Sequence, residues 1–180
     1  MLFRVKHRIF ISLIAGLIFS IGDMAHIYSG TAQYPNWQGP LLFNIPWWVP
    51  FEFAIAALLL FQINPPNLEK LKSPALLFSS SWTLLIYLGT SFLPESQPVL
   101  KSIVLFSAVA AQLIWTRTKS VRAFLEILVV VAGGCGMEYI FGKTEVFTYF
   151  PSPSLIGMLP VWLPTIYASV AITARSASST

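Results

Sequence analysis

Six long apolar runs dominate the pattern of hydrophobic and polar positions along this chain. They cover residues 9–28, 47–63, 75–93, 99–115, 121–140 and 155–174, and each run holds 17 to 20 residues. A helix needs about 20 residues to cross the hydrocarbon core of a bilayer, and only a helix satisfies its own backbone polar groups there. The pattern therefore predicts an all-α, polytopic membrane protein with six transmembrane helices, forming a single membrane domain over residues 1–180.

Composition supports the same class of protein. Hydrophobic residues make up 56% of the chain and charged residues only 10%, whereas soluble domains contain about 25% charged residues. The first run has the basic start and apolar centre of a signal peptide. Because it also carries Asp23 and His26 near its end and has a counterpart later in the chain, we expect a retained helix.

The basic residues predict an orientation. Nine of the eleven lie before the first run, after the second, fourth and sixth runs, or at the start of the fifth. In a bundle of six spans, all these positions are on the side of the membrane that both termini share. Only Lys101 and Lys143 fall on the other side. The positive-inside rule then predicts cytoplasmic termini in a plasma-membrane protein. Scattered helix-end charges without a basic stripe give no reason to expect nucleic-acid binding.

Helices one and two resemble helices five and six. Asp23 is followed by Tyr34 and the segment 46–50, and Glu138 is followed by Tyr149 and the segment 160–164. Both segments read Pro-x-Trp-x-Pro apart from one extra tryptophan, and they predict a parallel repeat, although such residues also cluster at membrane interfaces without any repeat. If the last proline of each segment lies deeper, it would kink its helix and free a carbonyl.

Small residues four apart predict close helix approaches. Gly16 and Ser20 have this spacing in the first helix, and Ala132 and Gly136 have it in the fifth. Small residues at this spacing let two backbones approach, either within one chain or between copies. The single cysteine, Cys135, is interpreted as a packing residue, and no metal or cofactor is expected.

Acidic residues inside the apolar runs are the candidate functional groups. Glu126 lies one turn from Arg122 and predicts an interfacial ion pair. The other three, Asp23, Glu52 and Glu138, should lie at a similar depth on the outer side. A charge at the bilayer centre costs about 3 kcal/mol on insertion scales, so these side chains should face the bundle interior.

Two interpretations of the acids stay open. In the structural one, Asp23 holds His26 one turn away, while Glu52 and Glu138 cap carbonyls that the prolines free. In the functional one, they line an outward-opening pocket that binds a lipid headgroup or performs acid–base chemistry.

Several short segments resemble the Insig (insulin-induced gene) proteins and their prokaryotic relatives. They are residues 47–50 (Trp-Trp-Val-Pro), 113–116 (Leu-Ile-Trp-Thr), 146–149 (Val-Phe-Thr-Tyr) with 151–153 (Pro-Ser-Pro), and 162–164 (Trp-Leu-Pro). Their order and spacing extend the resemblance over residues 9–175. It implies six helices with both ends cytoplasmic and a lipid pocket among them. Eukaryotic members bind oxysterols and a sterol-sensing partner, and a bacterial relative is associated with diacylglycerol and a trimer.

One departure from the family concerns partner binding. The cytoplasmic Trp-Thr-Phe-Asp-Arg-Ser segment of the family reads Trp-Thr-Arg-Thr-Lys-Ser here, with Thr118 at the aspartate position. An equivalent partner interaction is therefore in doubt. The acids also make the chain more polar than the eukaryotic pattern, which suggests a ligand with a larger polar head than a sterol.

These observations lead to three functional hypotheses. The first is an Insig-like protein without enzymatic activity that senses or regulates through a diacylglycerol-like, sterol-like or isoprenoid-like lipid, and that forms a homo-oligomer (a trimer, by resemblance). Its expected ligand-binding residues are Asp23, His26, Glu52, Glu138, Trp48, Tyr149 and Trp162. The alternative is a membrane-embedded lipid isomerase or cyclase that uses Asp23, His26 and Glu138. The third is a small transporter, for which the apolar cytoplasmic half is unfavourable.

Overall fold

Six α-helices make up most of the computed structural model, which describes residues 2–67, 69–70, 73–150, 154–156 and 159–178, with side chains except at 2–5 and 154–156. The helices of this described part are α1 (Leu2–Ser29), α2 (Val49–Ile63), α3 (Pro74–Phe92), α4 (Pro98–Trp115), α5 (Val121–Lys143) and α6 (Leu163–Ala177). Short strands lie in the connections: β1 (Ala32–Gln33), β2 (Leu41–Leu42), β3 (Ile45–Pro46), β4 (Thr148–Tyr149), β5 (Ser154–Ile156) and β6 (Leu159–Pro160).

The last helix begins later than the apolar pattern indicates. We expected it to start at residue 155, but β5 and β6 form an antiparallel hairpin there and α6 begins only at Leu163. Pro160 explains the delay in part, because a residue that precedes proline is pushed into extended conformation. The apolar residues of this segment that the structure describes thus belong to two short strands, the second of which is buried, and to a helix start instead of a longer helix.

Not all six helices reach the length of a membrane span. Within the described residues, four helices are long and apolar enough to cross a bilayer, namely Lys6–Ser29, Pro74–Phe92, Pro98–Trp115 and Val121–Lys143. The helices α2 and α6 have 15 residues each. At 1.5 Å per residue each is about 23 Å long, against a hydrocarbon core of about 30 Å.

Contacts between the connections define the two ends of the bundle. At one end, Asn67 donates its backbone N–H to the Ala177 carbonyl, and Glu126 forms ion pairs with Arg122 and Arg175. We call this the basic end. The expected Arg122–Glu126 pair is confirmed there, with 2.8 Å between Nε and Oε1. At the other end lie the two β-hairpins that precede α2 and α6, and we call it the hairpin end.

The two halves of the expected repeat have the same local structure. Each contains a hairpin, β2–β3 or β5–β6, followed by a helix of 15 residues. The helix is preceded by a tryptophan N-cap with nearly the same backbone angles, φ −80° and ψ −18° at Trp48 and φ −82° and ψ −14° at Trp162. Pro50 and Pro164 are the second residues of their helices, where the missing N–H costs nothing. The expectation that these prolines lie deeper and kink the helices is wrong.

A short antiparallel ladder joins the two halves at the hairpin end. Ala32 of β1 pairs with Tyr149 of β4, and Gln33 pairs with Thr148. Each strand lies between its acid-bearing helix and its hairpin, so equivalent connections of the two halves pair with each other. This ladder holds the two connections over the ends of α1 and α5.

The small-residue spacings behave differently in α1 and α5. A Cβ atom built on Gly16 would lie 2.3 Å from the Pro50 carbonyl oxygen, so the expected close approach of α1 to α2 is confirmed. In α5, a Cβ on Gly136 would have no atom within 4 Å, and Ala132 is exposed. Within the described chain the second spacing therefore makes no helix contact.

A buried glutamine links α3, α4 and α6 in the middle of the bundle. The Nε2 of Gln112 donates to the hydroxyls of Ser79 (2.9 Å), Thr83 (3.1 Å) and Thr173 (3.1 Å). Its Oε1 accepts from Ser169 at 2.6 Å, and Gln112 is fully buried. Polar side chains that hydrogen-bond across helices stabilise bundles in lipid, where no water competes for them.

Replacing Gln112 with leucine should destabilise the bundle. The substitution keeps a side chain of similar size but removes the amide group that donates to three hydroxyl groups. We therefore expect the free energy of unfolding to fall by about 1–2 kcal/mol. The measurement is reversible unfolding in mixed micelles. The control is Gln62→Leu, because Gln62 is exposed on α2. An equal loss in both variants would contradict a role for the Gln112 network.

Candidate functional site

A cavity of about 480 Å³ lies between α1, α2, α3, α5 and α6. Its wall consists mostly of aliphatic and aromatic side chains, from Pro66 and Ala177 near the basic end to Asp23 and Glu138 toward the hairpin end. Ligand sites in proteins are typically concave and apolar with a few placed polar groups, and their volumes run from about 300 to 1,000 Å³. The cavity fits this description.

All three acids expected to face the interior line this cavity. Asp23 accepts a hydrogen bond from the hydroxyl of Tyr34 at 2.5 Å. Glu138 accepts from Tyr167 at 2.6 Å and from Tyr149 at 3.3 Å. Asp23 and Tyr34 are eleven residues apart, as are Glu138 and Tyr149. The repeat thus supplies the same acid–tyrosine pair twice.

The tyrosines of the connections stay protonated. Burial, followed by the charge of Asp23, raises the pKa of Tyr34 far above its ordinary value. Burial and then Glu138 raise the pKa of Tyr149 in the same way. Both phenols therefore keep their protons and donate hydrogen bonds to the carboxyl groups. None of the described side chains of the cavity wall places a cation beside these carboxyl groups.

Glu52 is the third acid of the cavity and has no such donor. Its side chain makes no hydrogen bond within the described ranges, and it is half-buried on the cavity wall. It lines the same cavity as Asp23 and Glu138. None of the described side chains that line the cavity is basic. The polar end of the cavity therefore offers hydrogen-bond acceptors that the chain itself leaves open.

A glycine in α5 makes room for one of the tyrosines. A Cβ atom on Gly134 would lie 2.2 to 2.5 Å from ring atoms of Tyr167. Four residues before the acid of α1, the equivalent position holds Phe19, whose ring packs 6.1 Å from that of Phe53. Because the glycine has no side chain, the ring of Tyr167 lies against α5 and its hydroxyl reaches Glu138. The two halves of the repeat thus differ at this pair.

One side of the cavity is not closed by helix packing. The helix α5 packs chiefly against α6 and β6. The lining residues Val129 and Met137 of α5 are 63% and 42% exposed, and Ile18 of α1 and Leu59 of α2 are 43% and 62% exposed. The cavity therefore has an opening between α5 and the α1–α2 pair, at the height of the apolar spans.

His26 does not face the cavity, in contrast to our expectation. It is buried behind the cavity wall, where Nδ1 bonds the Thr31 hydroxyl at 2.6 Å and Nε2 bonds the Thr90 hydroxyl at 2.9 Å. Its ring stacks on Trp162 at 5.2 Å, with an angle of 12° between the rings. The expected Asp23–His26 hydrogen bond is absent from the described contacts, and Tyr34 takes that position.

The two tryptophans of the expected site have structural contacts. Trp48 packs edge-on against Tyr34 at 6.0 Å, and Trp162 packs edge-on against Tyr149 at 5.5 Å. Each tryptophan therefore supports a tyrosine that bonds an acid, and neither is among the described cavity-lining residues.

Sequence reasoning missed four polar residues around this site: Tyr34, Tyr87, Tyr167 and Lys101. Tyr34 could have been found, since the repeat makes it the counterpart of Tyr149. Tyr87 lines the cavity against Gly22, whose Cβ would lie 2.3 Å from its ring. Lys101 is 1% exposed, forms an ion pair with Glu95 and lies 4.8 Å over the Trp162 ring. Only the tertiary structure reveals such a buried lysine.

Substituting Gly134 with alanine should displace Tyr167 from Glu138. The added methyl group would overlap the phenol ring, so we expect a loss of about 1–3 kcal/mol in the free energy of unfolding. Gly133→Ala is the matched control, because a Cβ at that neighbouring position meets no atom within 4 Å. The prediction fails if thermal unfolding in detergent shows the same midpoint for both variants.

Comparisons with known proteins identify the fold. No protein-family model and no curated protein matches this sequence. The crystal structure of an Insig homolog from Mycobacterium vanbaalenii has a TM-score of 0.81 at 18% identity, covering 96% of this chain and 92% of that one. A cross-linked trimer of the same homolog has a TM-score of 0.80 at 20% identity, with the same coverage. The sequence resemblance is thereby confirmed at the level of structure, and this chain is a membrane protein with an Insig-like fold.

Proposed function

We propose that this chain is a lipid-binding membrane protein that holds one neutral, hydroxyl-bearing lipid, of the diacylglycerol, sterol or isoprenoid-alcohol kind. The single observation that carries the proposal is the apolar cavity with three acids at one end and no basic residue among its described lining side chains. The hydrocarbon part of the ligand would lie along the aliphatic walls. Its polar end would meet Asp23, Glu52 and Glu138.

The chemistry of the polar end favours a hydroxyl group over a phosphate. Carboxyl oxygens accept hydrogen bonds, and Glu52 has acceptor capacity that the described chain does not use. A phosphate would bring negative charge to three acids without a lysine or arginine to pair with it, and like charges at a desolvated site are costly. Lipids that end in free hydroxyl groups fit, whereas phospholipids do not.

The opening of the cavity also suits a lipid of this class. The opening between α5 and the α1–α2 pair is flanked by apolar side chains such as Leu59 and Val129. A lipid dissolved in the bilayer could enter there sideways without passing through water. We propose a sensing or regulatory role for such binding.

We further propose that all six helices cross the plasma membrane, with both termini in the cytoplasm. The short helices α2 and α6 each follow a hairpin whose second strand is buried, namely Ile45–Pro46 and Leu159–Pro160. The hairpins supply the depth that 15-residue helices lack. By their positions along the sequence, nine basic residues belong to the side that both termini share and two to the other side, which favours the basic end as the cytoplasmic one.

A homotrimer is the assembly we propose. The mycobacterial homolog has been crystallised as a cross-linked trimer. In this chain, Ala132, Gly133 and Gly136 on α5 are exposed, and a Cβ atom built on either glycine would meet no atom of the described structure within 4 Å. Small residues allow close helix approach in lipid, so this face suits a second copy of α5 or another helix.

An enzymatic function remains the alternative, on one observation. Asp23 and Glu138 both face the cavity with a tyrosine donor each, an arrangement that could transfer protons to and from a lipid. His26, which we had placed in the same catalytic set, is bonded on both ring nitrogens by threonine hydroxyls behind the wall.

Filling the cavity should remove its lipid. We expect native mass spectrometry of the purified protein to show one retained neutral lipid, and Ala57→Trp to abolish it, because Ala57 lies on the cavity wall. Ala110→Trp is the control, since Ala110 is exposed on α4. A protein that carries no lipid and takes none up from diacylglycerol-, sterol- or isoprenol-containing micelles would overturn the proposal.

Neutralising the acids separates binding from catalysis. For a binding protein, Asp23→Asn and Glu138→Gln should weaken lipid retention by about tenfold or less each, because the amide still offers one oxygen acceptor. For an enzyme, the same changes should stop conversion of the added lipid while binding survives. Chromatography of the lipid after incubation with each variant distinguishes the two, and conversion by the wild type alone would favour the enzyme.

A further inference from the structure

A second pocket lies at the hairpin end, away from the cavity. Its volume is about 360 Å³, and it lies where α1 ends, α3 ends and the connection to α4 begins. We call it the interface pocket, and the residues that matter for it are Ser29, Thr31, Ser91, Phe92 and Glu95. Since helices end here, the pocket is at the level of lipid headgroups if the helices span the bilayer.

Two oxygen atoms of this pocket are buried without a partner. Ser91 is 3% exposed, and its Oγ makes no hydrogen bond in the described structure. The Oε2 of Glu95 is also buried and unbonded within the described residues. Leaving a buried polar atom unpaired costs about 1–3 kcal/mol, and more for a charged one. Because Ser91 and Glu95 both line the interface pocket, these unpaired atoms indicate that a group from outside the chain bonds them there.

The rest of the pocket is also rich in acceptors. The hydroxyl of Ser29 bonds the Thr31 hydroxyl at 2.9 Å and the His26 carbonyl at 3.1 Å, and a hydroxyl oxygen has two lone pairs with which to accept. Both α1 and α3 end at the pocket, and the carbonyl groups of a C-terminal turn carry partial negative charge. The occupant should therefore donate hydrogen bonds and carry positive charge.

The chain's own lysine does not fill this role. The Nζ of Lys101 forms an ion pair with Oε1 of Glu95 and donates to the Thr90 carbonyl, so it is engaged on the inner side. It balances the charge of Glu95, but it leaves Oε2 and the Ser91 hydroxyl unbonded. The negative potential that remains in the pocket comes from the carbonyl groups at the ends of α1 and α3.

We propose that the interface pocket binds the primary ammonium group of a phospholipid head, with Glu95 and Ser91 as its acceptors. An ammonium group has three donors and no acceptor, which matches a pocket that offers oxygen atoms. Phe92 is 59% exposed at the same place and offers apolar surface to the acyl chains. The site is separate from the acid-lined cavity, which excludes phospholipids by its charge.

The test compares two heads of equal charge, of which only one has N–H donors. The full-length protein is placed in bilayer discs that contain equal amounts of phosphatidylethanolamine and phosphatidylcholine with identical chains, and native mass spectrometry reports the lipids retained. Choline carries the same charge without an N–H group. We expect about tenfold enrichment of phosphatidylethanolamine, the worth of one charge-assisted hydrogen bond, and its loss in Ser91→Ala and Glu95→Gln.

Ser91→Ala is the decisive variant, because Glu95→Gln also breaks the ion pair with Lys101. In detergent without phospholipid, Ser91→Ala should unfold at or above the wild-type temperature, since it removes an unpaired buried hydroxyl. Ser107→Ala, on an exposed position of α4, is the control and should keep the enrichment.

Three results would overturn the proposal: no enrichment in the wild type, enrichment that survives in Ser91→Ala, or displacement by free ethanolamine at millimolar concentration. The last would show that a soluble amine, and not a lipid, is the ligand. Ala57→Trp should keep the enrichment, so a failure of the cavity hypothesis and a failure of this one are distinguishable.

Discussion

A carboxyl group inside a bilayer needs a hydrogen-bond donor, and this need organises the hairpin end of the protein. The free-energy cost of an unsatisfied acid at the bilayer centre is about 3 kcal/mol or more. Asp23 and Glu138 receive their donors from tyrosines eleven residues later in the chain. Each connection must therefore fold back over the helix it has just left, and the β1–β4 ladder holds both connections in that position.

The cavity is a consequence of this arrangement. The phenol groups hold Asp23 and Glu138 at the cavity wall by hydrogen bonds. Gly22 and Gly134 leave space for the rings of Tyr87 and Tyr167. No described basic side chain enters to neutralise the acids. What remains is an apolar space with hydrogen-bond acceptors at one end. It is accessible between α5 and the α1–α2 pair, because α6 is the main helix that packs against α5.

The two halves have the same helices and hairpins but different side chains on the cavity wall. At the fourth position of the helix, α2 has Glu52 where α6 has Ile166, and at the fifth position it has Phe53 where α6 has Tyr167. One half therefore offers a carboxyl group without a donor, and the other offers a carboxyl group with two donors. The two sides of the cavity's polar end therefore present different hydrogen-bonding groups.

The sequence by itself determined the membrane class, most helix bounds, the repeat and the inward direction of the acids, because these follow from hydrophobic run length and from the cost of charge in lipid. It did not show that β5 and β6 pair before the last helix, that His26 bonds Thr31 and Thr90, or that Lys101 is buried. Those outcomes depend on which side chains meet across helices far apart in the chain. Only the tertiary structure decides such meetings, since apolar periodicity is the same for a lipid-facing and a protein-facing residue.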